Sequence, residues 1–292
     1  TGVQTCALPI FIDSRKDPRA ASAGSILVTR LMVRGCAGIV TDGGFRDAPQ
    51  SDPIPVHDSE FHFIRVQYVD RGGMQAGFRF GSRNGQGRGW WMQDWPDAEN
   101  HFTVGVQRLT RVQLGDPRYL PLSDPKLFDY PWLYLTQAAN WEIGQKDAEN
   151  LREYLQRGGF LVTDDFWQDY EWQLFAETMH RVFPDKEFFD IPESDNIMHV
   201  MYDIQEKDRT FIPGSRHLSL YSNGSARINQ PPGTEPAWRA ITDDKKRIIV
   251  AANFNTDTGD AWEFADVPYY PAEMTLLAYR YGINYIVYAM TH

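Results

Sequence analysis

The sequence FDYPWLYLTQAANWEIGQKDAENLREYLQRGGFLVTDDFW, residues 128–167, has the pattern of a strand, a helix and a second strand. Residues 132–136 are a short apolar run rich in aromatic side chains, which predicts a buried strand. Apolar side chains recur at helical spacing between 145 and 157, and Gly158 and Gly159 end the helix because glycine adopts the left-handed conformation without strain. Residues 160–162 predict a second buried strand.

Two strands joined by a crossover helix are expected to lie parallel in one sheet, with a right-handed connection. The chain leaves the second strand at Asp164 and Asp165, which places both carboxylates at the carboxyl end of a parallel strand. Open α/β sheets bind their ligands at this end. The stretch therefore predicts both the fold class and one edge of a functional site.

The composition excludes several classes of function. The chain of 292 residues has a formal net charge of −10, a pI of about 5.2 and no basic stripe, which argues against a nucleic-acid partner. It contains no run of about 20 apolar residues, so we expect no membrane span. Its two cysteines, Cys6 and Cys36, cannot build a disulfide framework or a cysteine zinc site.

The N-terminal residues have an unusual origin. Residues 1–10, TGVQTCALPI, resemble a translated sequencing-library adapter and are set aside as an artefact. Because no start methionine is present, we expect the chain to be a fragment or a processed product. With its natural N-terminus expected to be missing, a periplasmic or envelope-associated location is favoured over a cytoplasmic one.

Residues 17–49 predict a helix over 20–34, a strand over 37–40 and a polar glycine turn. The pattern RG-x-AG followed by DG-x-x-RD resembles the RraA-like family, which includes 4-hydroxy-4-methyl-2-oxoglutarate aldolases. That resemblance implies that Arg46 binds a keto-acid carboxylate and that Asp47 helps to hold a divalent metal. Because a βα fragment cannot bury both of its faces, we expect residues 11–49 to form no independent domain and this motif to be non-functional here.

Residues 50–59, QSDPIPVHDS, have the composition of an extended linker, and a second piece runs from 60 to 292. Its pattern predicts a first strand over 60–69, a glycine-rich loop over 72–89, a helix from Asp97 to about 110 and an irregular or edge strand over 112–122. Further elements are predicted along the rest of the piece: a helix over 171–183, a strand over 199–204, hairpins around 222–225 and 243–246, an acidic loop over 255–266 and a helix over 272–290.

Five segments of this piece carry a second resemblance: WWMQDWPDAENHF, LFDYPWLYLTQ, LREYLQRGGFLVTDDFW, IMHVMYDI and NFNTDTGDAWEFAD. They resemble the bacterial family called domain of unknown function 4159, over residues 60–292. That family is similar in outline to class I glutamine-amidotransferase-like and ThuA-like domains. The resemblance implies a flavodoxin-like three-layer α/β sandwich, with a mostly parallel sheet and added β-hairpins.

One departure from the amidotransferase pattern concerns the nucleophile. In amidotransferases a cysteine follows the glycine pair and its strand, and the corresponding position here falls near Asp164. Residues 60–292 contain no cysteine. Because a carboxylate is a far poorer acyl acceptor than a thiolate, glutamine hydrolysis through a cysteine thioester is excluded.

Asp164 and Asp165 are the first candidate catalytic residues, as metal or sugar-hydroxyl ligands or as a general base. The alternative is structural, with Asp165 capping the next helix and Asp164 anchoring a loop. His199 is the preferred imidazole, because ThuA-like domains place a histidine from a similar stretch near the cleft. Strand alternation would put Asp203 on the same face, although a structural histidine is the favoured interpretation.

The candidate ligand-binding residues are Asp94, Trp95, Asp129 and Asp203. Asp94 lies beside Trp95 just before a predicted helix. Asp129 precedes a predicted strand, and the alternative to ligand binding there is a structural role in a turn. Asparagines and aspartates over 253–260 offer oxygen ligands but lack the EF-hand spacing, so a hydrogen-bonded loop is favoured over a calcium site. No cofactor is evident, a divalent metal is possible, and its ligands stay unassigned.

These observations support three hypotheses. The first is an amidotransferase-like domain, lacking the cysteine nucleophile, that binds a small polar, sugar-like ligand in a cleft lined by aspartate and histidine. As an enzyme it would be a carboxylate–histidine hydrolase or would catalyse a metal-assisted reaction. The second is a non-catalytic interaction module of an envelope-associated assembly. In the third, the function follows the short aldolase-like fragment.

Overall fold

The computed structural model describes residues 10–12, 21–23, 39–41, 44–45, 59–71, 89–110, 112–222 and 224–292. The chain divides into two compact units. Residues 1–61 with 106–115 form the first unit, and residues 62–105 with 116–292 form the second.

The first unit contains four short strands, β1 (Ile10–Ile12), β2 (Ala21–Ala23), β3 (Ile39–Thr41) and β4 (Gly44–Phe45). Strand β1 pairs with β3, and β2 pairs with β4, both in parallel. The helix predicted over 20–34 is wrong where it can be compared, because residues 21–23 are extended and hydrogen-bonded as a strand. Arg46 and Asp47 lie outside the described residues.

The remaining strands are β5 (Phe61–Gln67), β6 (Val69–Asp70), β7 (Leu114–Pro121), β8 (Trp132–Leu135), β9 (Trp141–Glu142), β10 (Phe160–Thr163), β11 (Phe189–Asp190), β12 (Leu218–Leu220), β13 (Ala226–Ile228), β14 (Ala237–Thr242) and β15 (Ile248–Phe254). The α-helices are α1 (Asp97–Thr110), α2 (Gln145–Gln156), α3 (Gln168–Val182), α4 (Thr258–Glu263) and α5 (Ala272–Thr291). Short 3₁₀ helices cover Trp90–Met92, Pro125–Asp129, Asn196–Met198, Glu206–Asp208 and Ser215–His217. Among the helices of the described residues, none combines the length and apolarity needed to cross a bilayer.

A seven-stranded sheet in the order β11-β14-β15-β10-β8-β5-β7 forms the centre of the fold. Its four middle strands, β15, β10, β8 and β5, run parallel. On one side of them β14 pairs antiparallel with β15, and β11 pairs antiparallel with β14. The pairing of β8 with β10 confirms the parallel strand pair predicted from residues 128–167. The carboxyl ends of the middle strands therefore meet at one edge of the sheet.

Alternation along the strands gives the sheet two different faces. Leu133 and Leu161 belong to an apolar core shared with Leu151 of α2 and Phe175 of α3. Neighbouring positions place aromatic side chains on the opposite face. There the ring centroid of Phe160 is 6.0 Å from that of Tyr285 in α5 and 5.9 Å from that of Tyr288. A mostly parallel sheet with helical partners for both faces is consistent with a three-layer α/β sandwich.

Most of the elements predicted for residues 60–292 are confirmed, including the helix that begins at Asp97, the edge strand β7 and both hairpins. Two predictions are wrong. Residues 199–204, all of them described, form bends and loop rather than a strand, and the predicted acidic loop over 255–266 contains the helix α4. The glycine-rich loop over 72–88 lies outside the described residues.

Candidate functional site

Six acidic residues converge where the middle strands of the sheet end. Strand β10 is followed by Asp164 and Asp165, and β15 is followed by Asp257 and then by helix α4. Because β10 and β15 are adjacent and parallel, both segments leave the same edge of the sheet. We call the group formed here the acidic cluster, and its members are Asp94, Asp164, Asp165, Asp257, Asp260 and Glu263. All are buried except Glu263, which is half-buried.

Asp164 is completely buried and accepts hydrogen bonds through both oxygens. Its Oδ1 accepts the hydroxyl of Tyr134 at 2.7 Å. Its Oδ2 accepts the backbone N–H of Thr258 at 2.9 Å, the Thr258 hydroxyl, and the backbone N–H of Gly259 at 3.1 Å. Asp164 therefore fixes the first turn of α4 against the end of β10, which is the loop-anchoring role weighed from the sequence.

Asp165 follows with a positive φ of 50°, a conformation that aspartate tolerates better than most residues. Its Oδ1 accepts hydrogen bonds from the Trp167 indole at 2.7 Å and from the Arg216 guanidinium at 3.2 Å, and its Oδ2 accepts the Gln137 amide. Helix α3 instead begins after Trp167, whose backbone N–H donates to Glu171 at 2.6 Å. The helix-capping role weighed for Asp165 is therefore wrong.

Asp94 reaches the cluster from the turn before α1 and also has a positive φ, of 65°. Its Oδ1 accepts the Gln93 side-chain amide at 2.7 Å. Its Oδ2 is buried and accepts no hydrogen bond from an N–H or hydroxyl group of the described residues, and the hydrogen bond between the Asp94 and Glu263 carboxyl groups requires a proton on one of them. This oxygen faces Gly259, where a side-chain Cβ would stand 2.8 Å from it. Glycine at 259 thus allows the Asp94 carboxylate and the Tyr134 hydroxyl to pack closely against the first turn of α4.

Helix α4 positions the last two acids. Asp257 caps the helix by accepting the backbone N–H of Asp260 at 2.8 Å, and Asp260 accepts the backbone N–H of Ser215 through Oδ2. One carboxylate oxygen each of Asp94, Asp260 and Glu263 lie within 4.8 Å of one another. Three carboxylates at such distances repel one another unless a proton or a cation lies between them.

Burial is the main cause of the raised pKa values in the acidic cluster, and the neighbouring carboxylates add to it. Burial and the charge of Asp260 raise the pKa of Asp94 well above its usual range, and burial with Asp165 does the same for Asp257. Burial raises the pKa of Asp164 to about 7 although its hydrogen bonds oppose the change. Burial and Asp260 raise the pKa of Glu263 to about 7. Part of the cluster is therefore protonated near neutral pH.

A buried cation lies beside the acidic cluster. Arg65 of β5 is fully buried, as is its ion-pair partner Glu99, and its guanidinium also donates to the backbone carbonyls of Trp91, at 3.1 Å, and Gln93. The guanidinium carbon stands 5.1 Å from the ring centroid of Tyr134, the same side chain that donates to Asp164. Arg65 therefore ties the turn that carries Asp94 to the sheet.

The structure places His199 away from this network. Its Nδ1 lies 3.3 Å from Asp203 Oδ1, and its Nε2 contacts the backbone carbonyl of Glu193. His199 is the C-cap of the 3₁₀ helix Asn196–Met198. It does not lie on a strand, so strand alternation cannot place it on one face with Asp203. In the described chain, His199 and Asp203 share no hydrogen bond with the acidic cluster. They instead line a surface cavity with Glu193, Ser194 and Gln205, and no residue of the acidic cluster lines it.

Asp129 and Trp95 also lie apart from the acidic cluster's hydrogen bonds. Asp129 ends the 3₁₀ helix before β8, at the amino end of the parallel strands, whereas Asp164 follows the carboxyl end of β10. Trp95 is half-buried and packs edge-to-face on Tyr119, with ring centroids 5.5 Å apart. Of the four predicted ligand-binding residues, only Asp94 joins the cluster.

Sequence reasoning missed three residues of this region: Tyr134, Glu263 and His217. The segment NFNTDTGDAWEFAD contains Glu263, but its acidic composition predicted a loop. His217 accepts the backbone N–H of Gly214 at 3.1 Å, and Gly214 in turn packs against Asp257 and Asp260. Burial lowers the pKa of His217 to about 4, so this imidazole is neutral at pH 7.

Comparison with known proteins identifies a family. The family model described as Domain of unknown function (DUF4159) matches residues 79–290, which is well over half of the chain. All six residues of the acidic cluster lie within the matched range. A search of curated proteins finds no match.

Proposed function

The chain belongs to the domain of unknown function 4159 family, and we propose that it binds a small, hydroxyl-rich polar ligand at the acidic cluster. The observation that supports this most directly is Asp94 Oδ2, a buried carboxylate oxygen without an N–H or hydroxyl hydrogen-bond donor among the described residues. Burying such an oxygen is costly unless a partner satisfies it. A ligand hydroxyl that reaches this oxygen would supply that partner.

The position of the cluster supports the same proposal. Parallel α/β sheets bind ligands beyond the carboxyl ends of their strands, and Asp164 and Asp257 follow two adjacent parallel strands. Asp164 and Asp165 already accept several protein hydrogen bonds, so we assign them the role of holding the site in shape. Direct ligand contact falls to Asp94, Asp260 and Glu263.

We also propose the finer fold assignment, a flavodoxin-like sandwich similar to amidotransferase-like and ThuA-like domains. The parallel middle strands support it, as does the positive φ of Asp165, which follows the strand where amidotransferases carry their nucleophile. Thioester chemistry remains excluded, because the only cysteines of the sequence are Cys6 and Cys36. An envelope-associated location stays part of the proposal.

Saturation-transfer NMR with monosaccharides, disaccharides and linear polyols tests the binding proposal, in buffer containing a chelator. We expect ligand signals for the unsubstituted chain and a loss of at least tenfold in affinity for Asp94→Asn, with Asp129→Asn as the matched control. Both substitutions remove one carboxylate, but Asp129 is exposed and lies at the other end of the strands. Equal binding by both variants, or no signal from any polyol, would contradict the proposal and favour the non-catalytic interaction module.

A specific observation favours a second candidate, an acid–base hydrolase. Glu263 is half-buried and therefore open to a substrate, and burial with Asp260 raises its pKa to about 7, where a carboxyl both gives and takes a proton. Hydrolysis of chromogenic glycosides by the full chain tests it. We expect Glu263→Gln to lower kcat by about 10²–10⁴-fold, with a loss of the pH optimum near neutrality.

A further inference from the structure

We infer that Asp94, Asp260 and Glu263 bind one divalent cation at the carboxyl end of the sheet. The inference deepens the proposed function, from which it takes the position of the site, and a bound cation would strengthen the binding of a polyol there. A cation ligated by carboxylates coordinates hydroxyl oxygens of a ligand as readily as water.

The distances between the three carboxylates suit a shared ion. One oxygen from each of Asp94, Asp260 and Glu263 lies within 4.8 Å of the other two. Oxygens that bind one cation at about 2.4 Å can stand no farther apart than about 4.8 Å. The three side chains therefore need no large rearrangement to share an ion.

Asp94 supplies an independent observation. Its side chain is 7 % exposed, and its Oδ2 accepts no hydrogen bond from an N–H or hydroxyl group within the described part of the chain. A Cβ added at Gly259, in the first turn of α4, would stand 2.8 Å from that oxygen. A buried carboxylate oxygen that lies among other carboxylates and accepts no N–H or hydroxyl hydrogen bond is suited to bind a cation.

The charges around the site favour a cation. Of the nearby arginines, Arg65 pairs with the buried Glu99 and Arg216 pairs with Asp165 at 3.2 Å, so neither forms an ion pair with the three proposed ligands. One carboxylate oxygen each of Asp94, Asp260 and Glu263 lies within 4.8 Å of the others, so their negative charges repel one another. A divalent ion would remove that repulsion, and it would displace the protons that otherwise hold the cluster together.

The donor atoms restrict the identity of the ion. All three proposed ligands are carboxylate oxygens, which suit hard cations such as Ca²⁺, Mg²⁺ and Mn²⁺ rather than metals that prefer nitrogen or sulfur. His101, the imidazole near this end of α4, is directed at the backbone carbonyls of Trp262 and Glu263 through Nδ1, at 3.0 and 2.9 Å.

Isothermal titration and thermal unfolding of the chelator-treated full chain test the inference, with CaCl₂, MgCl₂ and MnCl₂ titrated separately. At a cation concentration about 100-fold above Kd, we expect the Tm to rise by about 5–10 °C for at least one ion. Titration in two buffers of different ionisation enthalpy should also show proton release on binding. Adventitious binding to exposed carboxylates would release no protons at pH 7.

Four variants separate a cation site from general charge effects. Asp94→Asn and Glu263→Gln each remove one ligand, and we expect at least tenfold weaker binding and no proton release. Gly259→Ala keeps every carboxylate but places a Cβ 2.8 Å from Asp94 Oδ2, so it should weaken binding as well. Asp129→Asn should bind like the unsubstituted chain.

The outcomes are distinct. If none of the three salts shifts the Tm, or if Asp94→Asn and Glu263→Gln keep the shift, the inference is overturned. Should Asp94→Asn fail to fold, Glu263→Gln, at a half-buried position, decides the question alone. Polyol signals in chelator without any cation effect would support the proposed function and overturn only the cation site. Cation binding without polyol signals would support the cation site and overturn the proposed polyol binding.

Discussion

At the amino end of the parallel strands, Asp243 and Asp244 each lie against a cation, whereas at the carboxyl end Asp94 and Asp257 lie among other acids. Asp243 pairs with Arg247 at 3.2 Å, and Asp244 pairs with Lys186 at 2.8 Å. Arg247 also donates to the backbone carbonyl of Gly158, before β10, at 2.7 Å. Asp243 and Asp244 are therefore each paired with a cation, whereas at the carboxyl end Arg216 pairs with Asp165, and no ion pair of the described residues includes Asp94 or Asp257.

The two ends differ correspondingly in their pKa values. Burial opposes the ionisation of Asp243, but the backbone N–H and guanidinium of Arg247 outweigh it and hold the pKa below its usual range. Burial and the charge of Asp260 raise the pKa of Asp94 well above that range. The same residue type thus has pKa values shifted in opposite directions at the two ends, and this contrast supports our proposal that the carboxyl end binds a ligand.

The largest expected effect comes from breaking the buried ion pair beside the cluster. Arg65 and Glu99 both have fully buried side chains. Removing one partner leaves the other charge buried and unpaired, so we expect Glu99→Ala to lower the free energy of unfolding by about 3–5 kcal/mol. Urea unfolding measures it. Asp244→Ala, which breaks the amino-end pair at a 97 % exposed side chain, is the control and should cause no measurable loss. Equal losses would remove the contrast between the two ends.

The next effect separates two carboxylates within the acidic cluster. Asp164 accepts four hydrogen bonds from Tyr134, Thr258 and Gly259. An asparagine at this position would point its own NH₂ group at some of these N–H and O–H groups, and those hydrogen bonds would be lost. We expect Asp164→Asn to cost about 1–3 kcal/mol in urea unfolding. Asp94→Asn should leave the chelated protein as stable as before or more stable, because it removes repulsion. A larger loss for Asp94→Asn would show that its role is structural.

Sequence reasoning was successful where the controlling interactions are local. The strand, helix and strand of residues 128–167 follow from hydrophobic periodicity and a glycine stop, and their parallel pairing follows from the crossover. Asp164 was placed at the carboxyl end for the same reason. The convergence of Asp94 with Asp260 was not predictable, because it depends on the packing of segments about 165 residues apart in the sequence.

Two failures have identifiable causes. His199 was expected on a strand, but Asp195 caps a 3₁₀ helix by accepting the backbone N–H of Ile197 at 3.0 Å, and the chain turns instead. Glu263 was assigned to a loop because its neighbours are acidic and small. The capping carboxylate of Asp257 and the burial of Trp262 stabilise a helix there despite that composition.

The pH dependence of stability sharpens the comparison further. An acid whose pKa is raised on folding stabilises the protein fully below its unfolded pKa, and this contribution is lost as the pH rises through the folded value. For Asp164 the pKa is raised from 3.8 to about 7, so the loss falls between roughly pH 4 and 7. It amounts to about 1.4 kcal/mol per pH unit for each fully buried group.

Thermal unfolding in chelator should therefore show a lower Tm at pH 7.5 than at pH 5. His217 has the opposite sign, because its lowered pKa of about 4 costs stability as the pH falls from 6.5 toward 4, but it is one group against several acids. Asp94→Asn should flatten the profile, and a saturating divalent cation should do the same. A Tm that rises steadily from pH 5 to 7.5 would contradict the raised pKa values of the cluster.

The smallest expected effect belongs to Asp129, the exposed carboxylate at the amino end of β8. A four-residue strand spans about 13 Å, and at 0.1 M ionic strength charges more than about 10 Å apart are largely screened. Asp129→Asn should therefore change the free energy of unfolding by no more than about 0.5 kcal/mol and leave the pH profile unaltered. Urea unfolding of Asp129→Asn and Asp94→Asn at two pH values measures both the change in free energy of unfolding and its pH dependence. If Asp129→Asn flattened the profile as strongly, the net charge of the chain, rather than burial at the carboxyl end, would control its titration.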